Sequence, residues 1–282
     1  MIIKIGTRNS KLAIAYTDQV VHALLQANFD EQIDVDIKFI KSLGDIKENT
    51  PIAELGGKGA FTQTLEDALI KEEIDVAVHS FKDLPKDISD ETEISAVLKR
   101  NDPRDAIVGT VKDGAVIGTS SPRRTEQLKR FVKQDITVKP IRGNIDTRIK
   151  KQESGEYDAI VLALCGMNAL GYNNKVSICD PQMILPAPGQ GVIALQTKKG
   201  TKAQEIVQTV NHIETFKCAM AERAMLKEID GDCHTAVGSL TTTCGDLLFL
   251  EAENFTNNKH FRAHAYIERY HDLGSFVGKN LK

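Results

Sequence analysis

The chain has 282 residues, of which 41% are hydrophobic and 27% are charged, and its formal net charge is −3. These values are ordinary for a globular protein with a sizeable core, and the acidic balance argues against a nucleic-acid groove as the main function. The N-terminal stretch MIIKIGTRNSKLA holds only a short apolar run, interrupted by Lys4, so it predicts neither a signal peptide nor a membrane span. We therefore expect a cytoplasmic protein.

The N-terminal third of the chain alternates strand and helix patterns. IIKI predicts a strand, and Ser10 is a good N-cap for a helix whose apolar residues recur every three to four positions. IDVDIKFI alternates as a strand does, GGKGAF leads into a second helix, and DVAVHS predicts a short buried strand. Such alternation predicts a mostly parallel sheet covered by helices.

The same alternation returns after residues 101–103, where we expect a second α/β unit to begin. AVIGTSS, PRRTEQLKRFV, ITVKPI, NIDTRIKKQ and YDAIVLAL predict strand, helix, strand, helix and strand, and VIALQ predicts a further strand. After Ile213 the composition changes to one long helix, ending at about Glu228, and then to strands such as LLFLEA and FRAHAYI. This tail predicts a small α+β domain.

The five cysteines are widely spaced and form no CxxC pair, so neither a zinc knuckle nor a thioredoxin motif is predicted. Cys218 lies on an apolar helical stripe and Cys165 ends an apolar run, and both are expected in the core. Cys244 is expected at a strand end beside a hairpin. Cys233, in DGDCHTAVG, lies in a glycine-flanked loop, where a thiol is available for chemistry.

Seven basic residues lie at element junctions, most of them beside Gly, Ser, Thr or Asn: Arg8, Lys58, Lys82, Arg123, Arg124, Arg142 and Arg148. In GTSSPRR, the two arginines fall in the first turn of the predicted helix, where each cation opposes the helix dipole by roughly 0.3–1 kcal/mol. An anion at that end would offset this cost, and arginine suits a carboxylate because its fork binds both oxygens. The pattern predicts a small anionic ligand.

Arg8, Asp83, Arg123 and Arg142 each follow an apolar strand, and ligands in open α/β sheets bind at the carboxyl ends of strands, so we expect these residues to converge on one rim if the two units face each other. Two further motifs concern this rim. GGKGAF lacks the Walker spacing, so it predicts a mobile loop with Lys58 and Phe61 at its tip rather than a nucleotide site. Asp83, in HSFKDLP, is either a turn residue before Pro85 or a carboxylate that stabilises a developing cation or a ring N–H of the ligand.

Nine motifs together resemble the porphobilinogen deaminase (hydroxymethylbilane synthase) family, in the same order along nearly the whole chain: GTRNSKLA, GGKGAF, DVAVHSFKDLP, NDPRDA, GTSSPRR, IRGNIDTR, YDAIVLAL, PAPGQG and ERAMLKEIDGDCHTAVG. The resemblance implies a transferase of tetrapyrrole and heme biosynthesis that joins four porphobilinogen molecules head to tail into hydroxymethylbilane and releases ammonia. It implies a dipyrromethane primer held by a thioether to Cys233, a monomer, and no metal or nucleotide.

The resemblance also implies the fold and the roles of single residues. It implies two α/β domains like periplasmic binding proteins, at 1–98 with 192–211 and at 103–188, and a small α+β domain at 213–282. Asp83 matches the catalytic carboxylate, and Lys58 and Phe61 match the active-site loop. The residues that match binders of the cofactor and substrate carboxylates are Arg8, Ser10, Lys82, Thr119, Ser120, Arg123, Arg124, Arg142 and Arg148.

The chain departs from the family pattern at Tyr16, where a glutamine is usual, and at Asn168-Ala169, where a basic pair is frequent. These departures leave open a degenerate synthase that loads its cofactor but elongates poorly, which turnover of porphobilinogen would separate from an active one. A small polycarboxylate-binding module would also explain the arginines and the two α/β units. It would leave Asp83 and Cys233 without a role.

Overall fold

The computed structural model describes residues 1–28, 33–41, 62–172, 176–231 and 235–282. They form two compact units, one of Met1–Arg100 with Val192–Lys217 and one of Asn101–Gly191 with Cys218–Lys282. Within the described ranges, no helix is long and apolar enough to cross a bilayer.

Elements are numbered here in chain order. The strands are β1 Ile2–Thr7, β2 Asp34–Phe39, β3 Val76–Ser80, β4 Thr92–Val97, β5 Asp105–Gly109, β6 Ala115–Gly118, β7 Ile136–Lys139, β8 Ala159–Ala163, β9 Val176–Ile178, β10 Ile193–Lys198, β11 Val237–Cys244, β12 Leu247–Asn254 and β13 Lys259–Tyr266. The helices are α1 Lys11–Ala27, α2 Gln63–Ile70, α3 Pro122–Phe131, α4 Ile145–Glu153, α5 Leu164–Ala169, α6 Lys202–Gln208, α7 Ile213–Glu228 and α8 Tyr270–Leu281.

The first unit is built on a five-stranded sheet in the order β2-β1-β3-β10-β4. β1 runs parallel to β2 and β3, whereas β10 runs antiparallel to both β3 and β4. The prediction of a mostly parallel sheet is therefore wrong for half of the strand pairings. The chain returns to this sheet as β10, which runs in the opposite direction to its neighbours β3 and β4. Helix α1 begins where predicted, since Ser10 Oγ accepts a hydrogen bond of 3.2 Å from the Ala13 amide.

The second unit contains another five-stranded sheet, in the order β7-β6-β8-β5-β9. β6 is parallel to β7 and β8, and β5 is antiparallel to β8 and β9. Helix α3 begins as predicted, with Ser121 as N-cap and Pro122 in its first turn. Its Leu128 packs with Ile117 of β6 and Val161 of β8 in one apolar cluster.

The second unit also holds an antiparallel three-stranded sheet, β11-β12-β13, packed against α7 and α8. As the stripe on α7 predicted, Cys218 and Met225 are buried there, together with Leu250 of β12. Helix α8 was not predicted. Its Gly274 lies so close to α7 that an added Cβ would stand 2.2 Å from the Ala221 carbonyl oxygen.

Candidate active site

The first unit contains a cavity of about 60 Å³ beyond the carboxyl ends of β1 and β3. These strands are parallel neighbours, so the residues that follow them meet at one edge of the sheet, as predicted. Seven lining residues carry polar side chains: Arg8, Ser10, Tyr16, Thr62, His79, Ser80 and Asp83. The structure thus brings together three of the predicted site residues of this unit.

Asp83 is presented to the cavity by a 3-10 turn, Phe81–Asp83, that directly follows β3. The turn is anchored because Phe81 is buried, its amide donates to the Val192 carbonyl at 2.9 Å, and the Leu84 amide closes the turn onto the Phe81 carbonyl at 3.1 Å. Within the described ranges, no donor reaches the half-buried Asp83 carboxylate. Its oxygens are therefore available to a ligand. Lys82, on the same turn, is also half-buried.

His79 is a cavity residue that was not among the predicted site residues. Its ring is buried, and Nε2 lies 3.0 Å from Oε1 of Gln196 on β10. Burial lowers the pKa of His79 to about 4, against the opposing effect of the Gln196 hydrogen bond and with a smaller lowering from the Arg8 charge. A histidine that directly continues the apolar run VAV of this strand was the signal in the sequence.

In the second unit, Ser120 follows β6 and is hydrogen-bonded to Ile141, which follows β7. Its hydroxyl donates to the Ile141 carbonyl at 2.8 Å and accepts from the Ile141 amide at 3.0 Å. The hydroxyl hydrogen of Ser120 is thus already donated to a backbone carbonyl, although the residue itself is exposed. The neighbouring Thr119 is buried, and its Oγ1 accepts a hydrogen bond of 3.2 Å from the Ser121 amide.

Arg123 and Arg124, in the first turn of α3, are buried and share one partner, Asp105 of β5. Nη2 of Arg123 donates to Oδ2 of Asp105 at 2.7 Å, and Nη2 of Arg124 donates to Oδ1 at 2.6 Å. Gln190 Nε2 donates to the same Oδ1 at 2.8 Å. The anion that the sequence predicted at this helix start is thus supplied, at least in part, by the chain itself.

This Asp105 cluster keeps an excess of one positive charge, because two guanidinium groups face one carboxylate. Burial pushes the pKa of Asp105 upward, but the charges of Arg123 and Arg124 outweigh it and hold the pKa well below its ordinary value. The Nε atoms of both arginines are buried and have no hydrogen-bond partner among the described residues. Buried donors without partners are rare in folded proteins, so they favour an additional acceptor here.

Arg142 and Arg148 lie at the start of α4, and both are half-buried. Nε of Arg148 donates to the Gly143 carbonyl at 2.7 Å, which fixes the side chain across the first turn. Gly143 has a φ of +109°, a backbone conformation that glycine adopts readily and that other residues adopt at a cost. The backbone conformation required at this position therefore explains the glycine of the IRGN motif.

Three predicted site residues, Lys58, Phe61 and Cys233, lie outside the described residues, so their roles stay predictions. Three other cysteines lie where expected: Cys165 and Cys218 are buried, and Cys244 is exposed at the end of β11. Across the described ranges, no group of three or more His, Cys, Asp or Glu side chains could hold a metal ion.

Comparisons with known proteins agree with this chemistry. A family model described as porphobilinogen deaminase, dipyromethane cofactor binding domain, matches residues 3–206. A probable porphobilinogen deaminase of Picrophilus torridus is 40% identical over 243 residues, covering 84% of this chain and 84% of that protein. The porphobilinogen deaminases of Rickettsia typhi and Shouchella clausii are each 40% identical, over 84% and 86% of this chain and 82% and 81% of their own length.

Solved structures resemble the chain more remotely. Substrate binding domain 2 of GlnP from Lactococcus lactis, in its open conformation, is 13% identical with a TM-score of 0.43, over 80% of this chain and 89% of that chain. An ancestral arginine-binding protein bound to arginine is 16% identical with a TM-score of 0.40, over 74% of this chain and 90% of that chain.

Proposed function

The chain belongs to the porphobilinogen deaminase family, and on that premise we propose that it joins four porphobilinogen molecules into hydroxymethylbilane with Asp83 as its catalytic carboxylate. The observation that carries the proposal is the Asp83 carboxylate, presented to a cavity by an anchored turn and free of an internal donor within the described ranges.

The residues of the second unit fit the dipyrromethane cofactor that the family model names, because that group carries carboxylates. The Asp105 cluster has an excess positive charge and two buried Nε donors that find no partner in the described part of the chain. We assign the carboxylate-holding role there to Arg123, Arg124, Arg142 and Arg148, with Thr119 and Ser120 as neutral neighbours, and the thioether to Cys233. When bound, the cofactor supplies the free pyrrole carbon to which the first substrate unit is joined.

In the first unit, Asp83 acts on the substrate as its aminomethyl group departs. The C–N bond breaks, its electron pair leaves with ammonia, and positive charge spreads onto the pyrrole nitrogen. A carboxylate fixed beside that nitrogen stabilises the charge as it develops and needs no proton transfer of its own. Arg8, Ser10 and Lys82 bind the acetate and propionate groups of the pyrrole, since a guanidinium pairs with a carboxylate through two parallel hydrogen bonds.

The remaining assignments complete the proposal. We assign Lys58 and Phe61 to the active site, as residues that match the active-site loop of the family, and we propose domains at 1–98 with 192–211, 103–188 and 213–282. The protein works as a cytoplasmic monomer that needs neither a metal ion nor nucleic acid. Tyr16, buried in the wall of the cavity, takes the place of the glutamine that is usual in the family.

Intact mass measurement of the purified protein tests the function. We expect a mass above that of the 31.1 kDa chain by two linked pyrrole units, on the peptide that holds Cys233. Cys233→Ser should lose this mass, whereas Cys244→Ser, at an exposed strand end, should keep it. An unmodified wild-type chain that stays unmodified after incubation with porphobilinogen, and releases no ammonia, would contradict the synthase and favour the polycarboxylate-binding module.

A further inference from the structure

A buried chain of hydrogen bonds runs from α2 through β10 to the cavity, and its last member is His79. Gln196 Nε2 donates to Glu66 Oε1 at 2.7 Å and to Thr92 Oγ1 at 2.8 Å. Both amide hydrogens of Gln196 are therefore donated to these two oxygens, so its amide oxygen can only accept a hydrogen bond from His79. His79 Nε2, 3.0 Å from that oxygen, must be the nitrogen that carries the hydrogen.

Glu66 fixes the far end of this chain. Its Oε1 also accepts from the Ser89 amide at 2.9 Å and from the Thr92 hydroxyl at 2.8 Å. Glu66, Thr92 and Gln196 are all buried, so the orientation of the Gln196 amide is set by the fold and does not depend on solvent. The tautomer of His79 is set in turn.

The Nδ1 nitrogen of His79 is the one that remains for a ligand. His79 lines the cavity with Asp83 and Arg8, while its Nε2 is turned to Gln196. Within the described part of the chain, the only hydrogen bond of this ring is the one made by Nε2. An imidazole with a pKa of about 4 stays neutral near neutral pH, so Nδ1 offers a lone pair and takes up no proton.

We propose that His79 is a positioning residue of the reaction: its Nδ1 accepts a hydrogen bond from the aminomethyl group of porphobilinogen and holds that group beside Asp83. The proposal rests on the function proposed above. The aminomethyl group is cationic before it leaves, so two acceptors, the Asp83 carboxylate and the His79 lone pair, match it. A charged imidazole at this position would repel it.

Two substitutions separate this role from a purely structural one. In His79→Gln, the amide nitrogen can take the place of Nε2 and keep the bond to Gln196, but no acceptor remains at the position of Nδ1. In His79→Asn, Oδ1 can take the place of Nδ1, but the bond to Gln196 is lost. Each variant therefore keeps one of the two hydrogen-bonding positions of the ring.

We expect kcat of His79→Gln to fall by roughly ten- to a hundredfold, the range for a hydrogen bond to a charged group, with an unfolding midpoint close to wild type. His79→Asn should keep kcat within about threefold of wild type at a lower unfolding midpoint. A structural role alone gives the opposite order of activities, and that order would overturn the proposal.

A spectroscopic readout keeps the proposal testable if either variant fails to fold. Nitrogen NMR of the histidine-labelled Asp83→Asn holoprotein, in which turnover is slowed, should show His79 as the Nε2–H tautomer, with an Nδ1 resonance that shifts when porphobilinogen is added. An Nδ1–H tautomer, or an unmoved resonance at saturating porphobilinogen, would contradict the proposal. Wild-type ammonia release and cofactor mass are measured alongside, because their absence would contradict the proposed function itself.

Discussion

The amide of Gly189 donates a hydrogen bond of 2.6 Å to Oε2 of Glu222, which is fully buried in α7. The other carboxylate oxygen, Oε1, accepts from the Thr241 amide of β11 at 2.8 Å. One buried side chain thus ties the PAPGQG loop to the three-stranded sheet through two backbone groups, and each oxygen has its own donor.

Replacing Glu222 with Gln should destabilise the second unit. The new amide nitrogen can only donate, so it would face a backbone N–H and leave one buried donor without an acceptor. We expect a loss of about 1–3 kcal/mol in the free energy of unfolding, measured by urea denaturation. Glu126→Gln, in a partly exposed pair with Lys129, is the matched control and should change it by less than about 0.5 kcal/mol. Equal effects would contradict the role of Glu222.

Asp105→Asn tests the Asp105 cluster. The substitution leaves two buried guanidinium groups without their anion, and removal of one partner from a buried ion pair costs about 3–5 kcal/mol. The control is Asp135→Asn, at an exposed position of the same unit. Equal free energies of unfolding for the two variants would contradict a stabilising role of Asp105 in the cluster.

The same cluster predicts how stability depends on pH. Because the pKa of Asp105 is lower in the folded than in the unfolded chain, its stabilisation is complete well above the unfolded value of about 3.9 and is lost progressively as the pH falls through that value towards the lower folded pKa. The gap in unfolding free energy between wild type and Asp105→Asn should therefore begin to narrow at about pH 5 and continue to narrow below about pH 3. A gap that stayed constant over this interval would rule out an ionised Asp105.

Asp83→Asn should affect the reaction and spare the fold. The carboxylate is half-buried and makes no hydrogen bond within the described ranges, so its loss removes no internal contact there. We expect the rate of ammonia release to fall at least about a hundredfold, with an unfolding free energy within about 0.5 kcal/mol of wild type. Asp90→Asn, at an exposed position a few residues on, should leave both quantities unchanged. Near-normal turnover in Asp83→Asn would remove Asp83 from its role.

Thiol labelling should separate the described cysteines by burial. Cys244 is exposed, whereas Cys165, Cys179 and Cys218 are buried. Burial, with a further contribution from the Asp105 charge, raises the pKa of Cys179 to about 11, so that thiol stays protonated at pH 8. Iodoacetamide at pH 8 should modify Cys244 first and the other three only after denaturation, as followed by peptide mass. Early modification of Cys179 would contradict its packing.

Gly274→Ala should destabilise the protein although alanine is the better helix former. The helix propensity gained is about 1 kcal/mol, but the new methyl group would stand 2.2 Å from the Ala221 carbonyl oxygen, and overpacking of this kind costs about 1–3 kcal/mol. We expect a lower melting temperature than for Ser275→Ala, the neighbouring control. A stabilised Gly274→Ala would show that α7 and α8 are not in close contact.

Local patterns predicted much of this fold. Ser10 and Ser121 marked two helix starts because capping chemistry is contained in a few residues. Helix α8 was missed because its two glycines are poor helix formers, and they are tolerated only because Gly274 and Gly278 face α7 four residues apart. Strand direction was missed as well, since periodicity indicates that a segment is a strand and gives no information about its partner.

For the candidate site, the sequence predicted which charged residues matter better than it predicted which partners they contact. That Arg8 and Asp83 line one cavity of the first unit followed from the order of strands and turns. That Asp105 neutralises part of the Arg123–Arg124 charge could not be predicted, because residues far apart in sequence meet only once the antiparallel β5 is in place. The same holds for His79, whose environment depends on Gln196, 117 residues further along the chain.

The position of β10 has a consequence for synthesis on the ribosome. β3 and β4 are not paired with each other, and β10 fills the gap between them only after residues 101–191 have been translated. Because the ribosome adds roughly 5–20 residues per second, the facing edges of β3 and β4 remain unpaired for about 5–20 s until β10 is synthesised. The five-stranded sheet of the second unit is built from contiguous residues, 105–178, and can form in that interval. A nascent chain stalled before residue 193 should therefore recruit chaperones through its open first sheet, and one released after residue 198 should not.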